Sequence, residues 1–192
     1  MGVVAATELI LIRHAPALTG GRLCGRTDVA ADCGDVRRIA ALRAAVGTPD
    51  RIVTSPALRC RQTAAALWPA CTGASSDAAL WEQDFGAWEG VSHDALPDLG
   101  PLGPVDLADH RPPDGESFAD LCARVAPALI RASTGGRVAI VAHAGTVRAG
   151  LALALGSVPQ ALAFEVAPLS LTRIRALPDG GWSIGTVNWM PA

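Results

Sequence analysis

Two short apolar runs in this chain each stop on a histidine, and that pairing constrains the fold more than any other feature. The first is Leu9-Ile10-Leu11-Ile12-Arg13-His14-Ala15-Pro16, and the second is Arg137-Val138-Ala139-Ile140-Val141-Ala142-His143-Ala144-Gly145. A few consecutive aliphatics bounded by polar residues read as a strand buried on both faces, too short for a core helix. Pro16 closes the first run, because proline cannot continue a central ladder and pushes Ala15 toward an extended conformation. Arg13 and His14 therefore emerge where a core strand meets a loop, the place where ligands bind in open α/β sheets. A histidine there serves as nucleophile, acid/base or metal ligand, or it is a structural strand end. Two strands that end alike are hard to attribute to packing.

Between the runs, strands and helices alternate. Asp35 to Val46 reads as an amphipathic helix with Val36, Ile39, Ala40, Leu42 and Val46 as apolar positions and Gly47 as its stop. Arg51 to Ser55 reads as a strand. Ser55-Pro56 then gives an N-cap followed by proline at the first helical position, starting a helix that runs to Leu67 and carries Arg59 in its first turn. A further helix spans about 116–132, with Phe118, Leu121, Val125 and Leu129 at a helical period and Gly135-Gly136 ending the element. The second strand-histidine unit leads into a helix at about 146–155. Leu162–Val166, Ser170–Ala176 and Trp182–Asn188 read as shorter strands, the last two joined by Pro178-Asp179-Gly180-Gly181. Residues 91–115, rich in Pro, Gly and Asp, read as a surface excursion. With 192 residues and 50% hydrophobic content, residues 1–192 are expected to form a single domain with a substantial core.

Charge narrows the partners. The formal net charge is −2 with no long run of either sign, which argues against a nucleic-acid-binding face but leaves room for a local cationic pocket. Cysteines 24, 33, 60, 71 and 122 form no CxxC pair and read as free thiols. Histidines 14, 93, 110 and 143 are dispersed and include no HExxH, so no metal site is expected. The N-terminal MGVVAATELILIRHA lacks a basic segment and has Glu8 inside its apolar stretch, unlike a secretory signal. No apolar run approaches the ~18–20 residues of a membrane span. A cytoplasmic protein is expected, as monomer or homodimer.

Two loops hold further chemistry. In Thr19-Gly-Gly-Arg-Leu-Cys-Gly-Arg-Thr-Asp28, glycines at 20, 21 and 25 let backbone N–H groups approach a ligand, and Arg22 and Arg26 suit an anion. An ordinary surface loop fits equally well. In Leu80-Trp-Glu-Gln-Asp-Phe-Gly-Ala-Trp-Glu-Gly90, three carboxylates stand among two tryptophans and a phenylalanine. A carboxylate against aromatic surface is poorly solvated, which raises its pKa and suits it to general-acid work. The bland alternative is a loop whose aromatics fill the edge of the core.

Taken in series, Ile12-Arg13-His14-Ala15, Ser55-Pro-Ala-Leu-Arg59 with Thr63-Ala64, Glu82 with Phe85-Gly-Ala-Trp-Glu-Gly90, and Val141-Ala-His143-Ala-Gly145 resemble the histidine phosphatase superfamily, the phosphoglycerate mutase-like group. The resemblance covers residues 8 to about 150, in order and with sensible spacing. It implies a three-layer α/β/α sandwich with a mostly parallel central sheet, which the strand–helix alternation suits. It further implies that His14 is the nucleophile, forming a phosphohistidine, that Arg13, Arg59 and His143 hold the phosphoryl oxygens, and that Glu82 protonates the leaving alcohol. Asp84 and Glu89 are the rival donors. Gly145 is expected to lend its N–H near the phosphate, and Arg22, Cys24, Gly25, Arg26 and Ala144 to line the substrate site. The family's motif has glycine where Ala15 stands and often at Ala144 too. The loop GRLCGRTD resembles that of alpha-ribazole phosphatases, with Cys24 where those carry tyrosine.

The implied reaction is hydrolysis of a small phosphate ester, a phosphorylated metabolite such as alpha-ribazole 5'-phosphate, with no cofactor and no metal. A cofactor-dependent phosphoglycerate mutase and an inactive phosphate-binding module are the alternatives. The mutases carry a long insertion after the catalytic glutamate, whereas the interval from Glu82 to Glu116 is short. The chemistry also stands without the resemblance. A phosphomonoester dianion needs several forked cationic donors around its oxygens, and arginine supplies them.

Overall fold

The two histidine-terminated runs form neighbouring strands at the centre of one sheet. In the computed structural model, which describes residues 6–191, β1 (Thr7–Arg13) pairs in parallel with β4 (Gly136–Ala142), with Ile12 opposite Val141 and Arg13 opposite Ala142. That register brings His14 and His143 out side by side at the C-terminal edge of the sheet. Residues 1–5, over which the N-terminal reading also ran, lie outside the described residues. On its other edge β1 pairs antiparallel with β5 (Leu171–Ala176), which pairs antiparallel with β6 (Trp182–Trp189). Beyond β4 lie β2 (Arg51–Thr54) and the two-residue β3 (Ser75–Ser76), both parallel, giving the order β3-β2-β4-β1-β5-β6.

Alternation along β1 divides the core. Leu9 and Leu11 point to one face, where they pack with Leu121, Val125 and Leu129 of α4 (Phe118–Ala132) and Leu151 of α5 (Ala144–Leu155). Ile10 and Ile12 point to the other, against Ile39 and Leu42 of α1 (Val36–Val46) and Leu67 of α2 (Leu58–Leu67). Each of these aliphatics is buried, and burying one fully contributes about 1.5–3 kcal/mol. The helices thus clamp a mostly parallel sheet from both sides, the three-layer arrangement expected from the sequence. Gly150 lets α5 ride close over β1, since a Cβ there would meet Leu11 Cδ1 at 2.6 Å.

Local signals explain most boundaries. Asp35 caps α1 by accepting from Arg38 N, and Gly47 with φ +70° ends it. Ser117 and Asp120 close a capping box on α4. The expected start of α2 is corrected: the helix begins at Leu58, not at Ser55-Pro56, and its N-cap residue Ala57 makes no side-chain cap bond. Ser55 Oγ is drawn 2.8 Å from His143 Nε2, and the Leu58 N–H donates instead to Asp28 Oδ1 at 2.6 Å. Helix α5 starts at Ala144, two residues earlier than expected, and the surface excursion holds a short helix, α3 (Pro104–Asp109).

Leu162–Val166 is not a strand. It follows the one-turn helix α6 (Val158–Ala161) as irregular chain. The sheet position beside β1 is already taken by β5, and two of this segment's carbonyls turn to guanidiniums: Phe164 O accepts from Arg148 Nε at 3.0 Å and Val166 O from Arg13 Nη1 at 2.6 Å. Among the described residues no helix is long and apolar enough to cross a membrane.

Candidate active site

His14 follows directly on β1 and is buried. Its Nδ1 lies 2.7 Å from the Ala15 carbonyl, which can only accept, so Nδ1 carries the proton and Nε2 keeps its lone pair. Burial pushes the imidazole down to about pKa 3; the Ala15 carbonyl works against this, and Arg59 and Arg13 add to it. The ring is neutral over the physiological range. Thr63 Oγ1 accepts the Ala15 N–H at 2.9 Å and donates to Arg59 O, tying the loop behind His14 to α2. Neither Ala15 nor Ala144 has positive φ, so alanine stands at both positions without backbone strain.

His143 caps the N-terminal end of α5, is fully buried, and meets His14 edge-on at 5.2 Å between ring centroids. Ser55 Oγ accepts the Ala57 N–H at 3.3 Å and lies 2.8 Å from His143 Nε2. With the hydroxyl hydrogen given to Nε2, the neutral ring carries its own proton on Nδ1. Burial holds its pKa well below the usual histidine range, with Arg59, His14 and Arg13 adding to the effect. Trp81 lies parallel to the His143 ring, 9° between planes, and the Arg59 guanidinium sits 6.0 Å over the same indole.

Arg59, from the first turn of α2, is 1% exposed, yet among the described residues it forms no ion pair with a carboxylate. Its Nη2 donates to Gly25 O at 2.7 Å and its Nη1 to Thr27 O at 3.0 Å. The loop that supplies these carbonyls is held from the opposite side by Glu89. That carboxylate accepts from Gly25 N, Arg26 N, Thr27 N, Thr27 Oγ1 and Phe85 N, at distances between 2.6 and 3.3 Å. The glycine-rich loop is therefore an anion cradle, as its composition allows, but the anion it holds belongs to this chain. Gly25 and Arg26 are corrected accordingly. Gly25 is buried behind the wall, with no room for a Cβ against Gln83 O, and Arg26 reaches away to Glu116 at 3.5 Å.

Glu82 accepts from Gly145 N at 3.1 Å and from its own neighbour Gln83 N at 3.1 Å. The first turn of α5 offers unpaired N–H groups and the positive end of the helix dipole, a natural seat for a carboxylate. The Gly145 N–H, expected near a phosphate, is thus engaged by Glu82. A Cβ at position 145 would press into the Glu82 carboxylate and stand 2.9 Å from Leu121 Cδ1. Of the rival carboxylates, Glu89 is occupied by its loop and Asp84 Oδ1 accepts from Gly86 N at 2.9 Å.

Arg13, His14, Arg22, Cys24, Arg59, Glu82, Ala144 and Gly145 line one cavity of about 460 Å³. Among the other lining residues, His93, Phe118 and Arg148 are not singled out for the site by the sequence. Arg148 stands one turn after Ala144, and that spacing from the strand-histidine unit is the signal that finds it. His93 comes from the surface excursion, whose backbone pairs with the loop at Arg22–Ser92, and nothing in the sequence points to that pairing.

The family model described as histidine phosphatase superfamily (branch 1) matches residues 9–190. The chain belongs to this superfamily. With membership comes the class of activity, a phosphoric monoester hydrolase. Solved structures agree in fold. The chain is similar to "Mycobacterial hydrolase 2", with 26% identity and a TM-score of 0.84 over 97% of this chain and 92% of that one. It is similar to the mycobacterial glucosyl-3-phosphoglycerate phosphatase complexed with inorganic phosphate, at 25% identity and a TM-score of 0.81, covering 95% and 97%. The alpha-ribazole phosphatase from Shigella flexneri shares the fold at 20% identity, with a TM-score of 0.80 over 95% and 96%. No curated protein matches the chain in sequence.

Proposed function

We propose that this histidine phosphatase hydrolyses a small phosphate ester through a phosphohistidine on His14, without a metal. The observation that carries the reading is the tautomer lock: Nδ1 is committed to the Ala15 carbonyl, so a neutral Nε2 lone pair stands in a cavity lined by guanidiniums. In the first step Nε2 forms a bond to phosphorus while the ester P–O bond breaks, and Glu82 gives its proton to the departing oxygen. Arg13, Arg59 and His143 Nδ1–H stabilise the charge on the three equatorial oxygens, the largest need in phosphoryl transfer. In the second step Glu82 takes a proton from water as its oxygen attacks phosphorus, the P–N bond breaks, and inorganic phosphate leaves. The arginines supply the charge that a metal would otherwise bring.

Neighbours of similar fold act on different esters by their own descriptions, so likeness does not choose among substrates. Alpha-ribazole 5'-phosphate is one candidate among them. The test is to trap the phosphoenzyme with a rapidly quenched phosphate ester, in EDTA, on wild type and His14→Ala. We expect an acid-labile, alkali-stable phosphohistidine and release of inorganic phosphate from wild type, with neither from a folded His14→Ala. Phosphoenzyme on the variant removes His14 from the role. Isomerised phosphoglycerate in place of inorganic phosphate makes the protein a mutase, and loss of activity in EDTA overturns the metal-free mechanism.

A further inference from the structure

The reaction as written needs two arginines beside the phosphoryl group, and the cavity has four. Arg13, Arg22, Arg59 and Arg148 all line it, against the single carboxylate of Glu82. None of the four takes part in an ion pair among the described residues. Each is anchored by backbone carbonyls instead: Arg13 by Val166 O, Arg22 by Gly90 O, Arg59 by Gly25 O and Thr27 O, Arg148 by Phe164 O. A carbonyl positions a guanidinium without neutralising it. A phosphate dianion added to this set leaves one positive charge uncompensated, and two once Glu82 carries the proton it delivers.

Arg148 is the residue with charge to spare. It is half-buried on the second turn of α5 and lines the same cavity as Ala144, one turn before it. Its bond to the chain is made through Nε, at 3.0 Å to Phe164 O, which leaves both Nη groups for a ligand. Arg13, tied two residues further along the same segment, feels both charges: burial lowers its pKa most, Glu82 raises it, and Arg148 lowers it. Arg13 has the Glu82 charge nearby, whereas Arg148 takes part in no ion pair among the described residues, and an anion on its Nη edge would offset its repulsion of Arg13.

We propose that Arg148 forms a second anion subsite and that the substrate is a phosphorylated carboxylic acid, its carboxylate taken by the Nη edge of Arg148. This rests on the phosphomonoesterase reading above. A planar fork with two parallel N–H donors matches a carboxylate in both shape and charge.

The test compares esters of one skeleton: 3-phosphoglycerate and glycerol 3-phosphate, which has an alcohol in place of the carboxylate. Wild type is expected to favour 3-phosphoglycerate by tenfold or more in kcat/KM, mainly through KM. Arg148→Gln should lose at least tenfold more on 3-phosphoglycerate than on glycerol 3-phosphate, and Arg148→Lys, which keeps the charge, should restore part of the preference. An equal loss on both esters assigns Arg148 to the phosphoryl group, and absence of a wild-type preference removes the subsite; either result overturns the proposal. Glycerol 1,3-bisphosphate preferred over 3-phosphoglycerate replaces the carboxylate by a second phosphate. p-Nitrophenyl phosphate is the control: if wild type leaves it intact as well, the phosphatase reading itself fails, whereas its turnover without a carboxylate preference sinks only the subsite.

Discussion

Replacing Glu89 by glutamine should damage the site without touching a reacting atom. The carboxylate faces donors only: Oε1 accepts from Gly25 N at 3.0 Å, Arg26 N at 2.8 Å and Phe85 N at 3.3 Å, and Oε2 from Thr27 N at 3.1 Å and Thr27 Oγ1 at 2.6 Å. In Glu89→Gln one oxygen becomes an NH₂ group that cannot accept. The Thr27 hydroxyl can turn to receive it, but the Thr27 N–H is left without a partner, and the remaining bonds lose their charge assistance. Hydrogen bonds to charged groups contribute about 1.5–3 kcal/mol each when buried. Water reaches this half-buried carboxylate, so about 2–3 kcal/mol in all is the expected loss. In a protein of this size that lowers Tm by about 5–10 °C.

Acid should erase the difference. Burial works to raise the Glu89 pKa, but the Thr27 side chain and the N–H groups of Arg26, Thr27 and Phe85 together hold it below the usual carboxylate value. A depressed folded pKa contributes stability that is present above the unfolded value, about 4.3, and lost as pH falls through the folded one. The Tm gap between wild type and Glu89→Gln, followed by calorimetry, should be full at pH 6–7 and narrow below about pH 4. Since the Arg59 partners Gly25 O and Thr27 O ride on the same loop, KM should rise as well. A variant that melts within a degree of wild type at pH 7, or a gap that stays constant into acid, refutes the clamp.

Glu82→Gln should slow alkyl phosphates by about 10²–10⁴-fold, the range for loss of a general acid, and p-nitrophenyl phosphate much less when phosphoenzyme formation limits both; equal losses would make Glu82 a positioning residue. Because the His14 pKa lies at about 3, kcat/KM should show no inflection near pH 6.5 from this histidine, and an NMR titration of the His14 ring with a midpoint near pH 6.5 would contradict its neutral form. Inorganic phosphate should protect the fold, raising Tm with concentration by mass action on the unpaired guanidiniums, and an unchanged Tm at saturating phosphate would mean that the site does not bind the anion.

What could be read from the sequence was what nearest neighbours decide. The strands under His14 and His143 declare themselves by unbroken aliphatic runs, and α1 by Asp35 in front and Gly47 behind. Features set by distant partners stayed hidden. Ser55-Pro56 has the form of a helix start, yet the serine hydroxyl lies with His143, 88 residues away along the chain, and the cap comes from Asp28. Leu162–Val166 has strand composition but meets a sheet whose place is filled, and guanidiniums take its carbonyls. For the loop around Gly25 the chemistry was legible and the owner of the anion was not, because the composition of an anion cradle is the same whether Glu89 or a ligand fills it. Arg148 looks like any helical arginine until its place one turn after Ala144 is set against the cavity.

The bond from the Leu58 N–H to Asp28 has an evolutionary consequence. It makes the loop from Arg22 to Asp28 and the start of α2 a single part: the loop's last residue is the helix's first acceptor, and the helix's arginine in turn grips the loop's carbonyls. An insertion or deletion between them would release both ends at once, exposing the helix terminus and freeing Arg59 together. Length in this stretch is therefore frozen, and new specificity here can come only from exchanging side chains such as Arg22 and Cys24. Residues 91–115 are tied at their two ends, by the Leu23 N–H to Val91 O and the Ala87 N–H to Pro113 O, while among the described residues 97–109 hydrogen-bond only among themselves, so inheritance can lengthen or shorten the chain there while the floor of the cavity stays as it is.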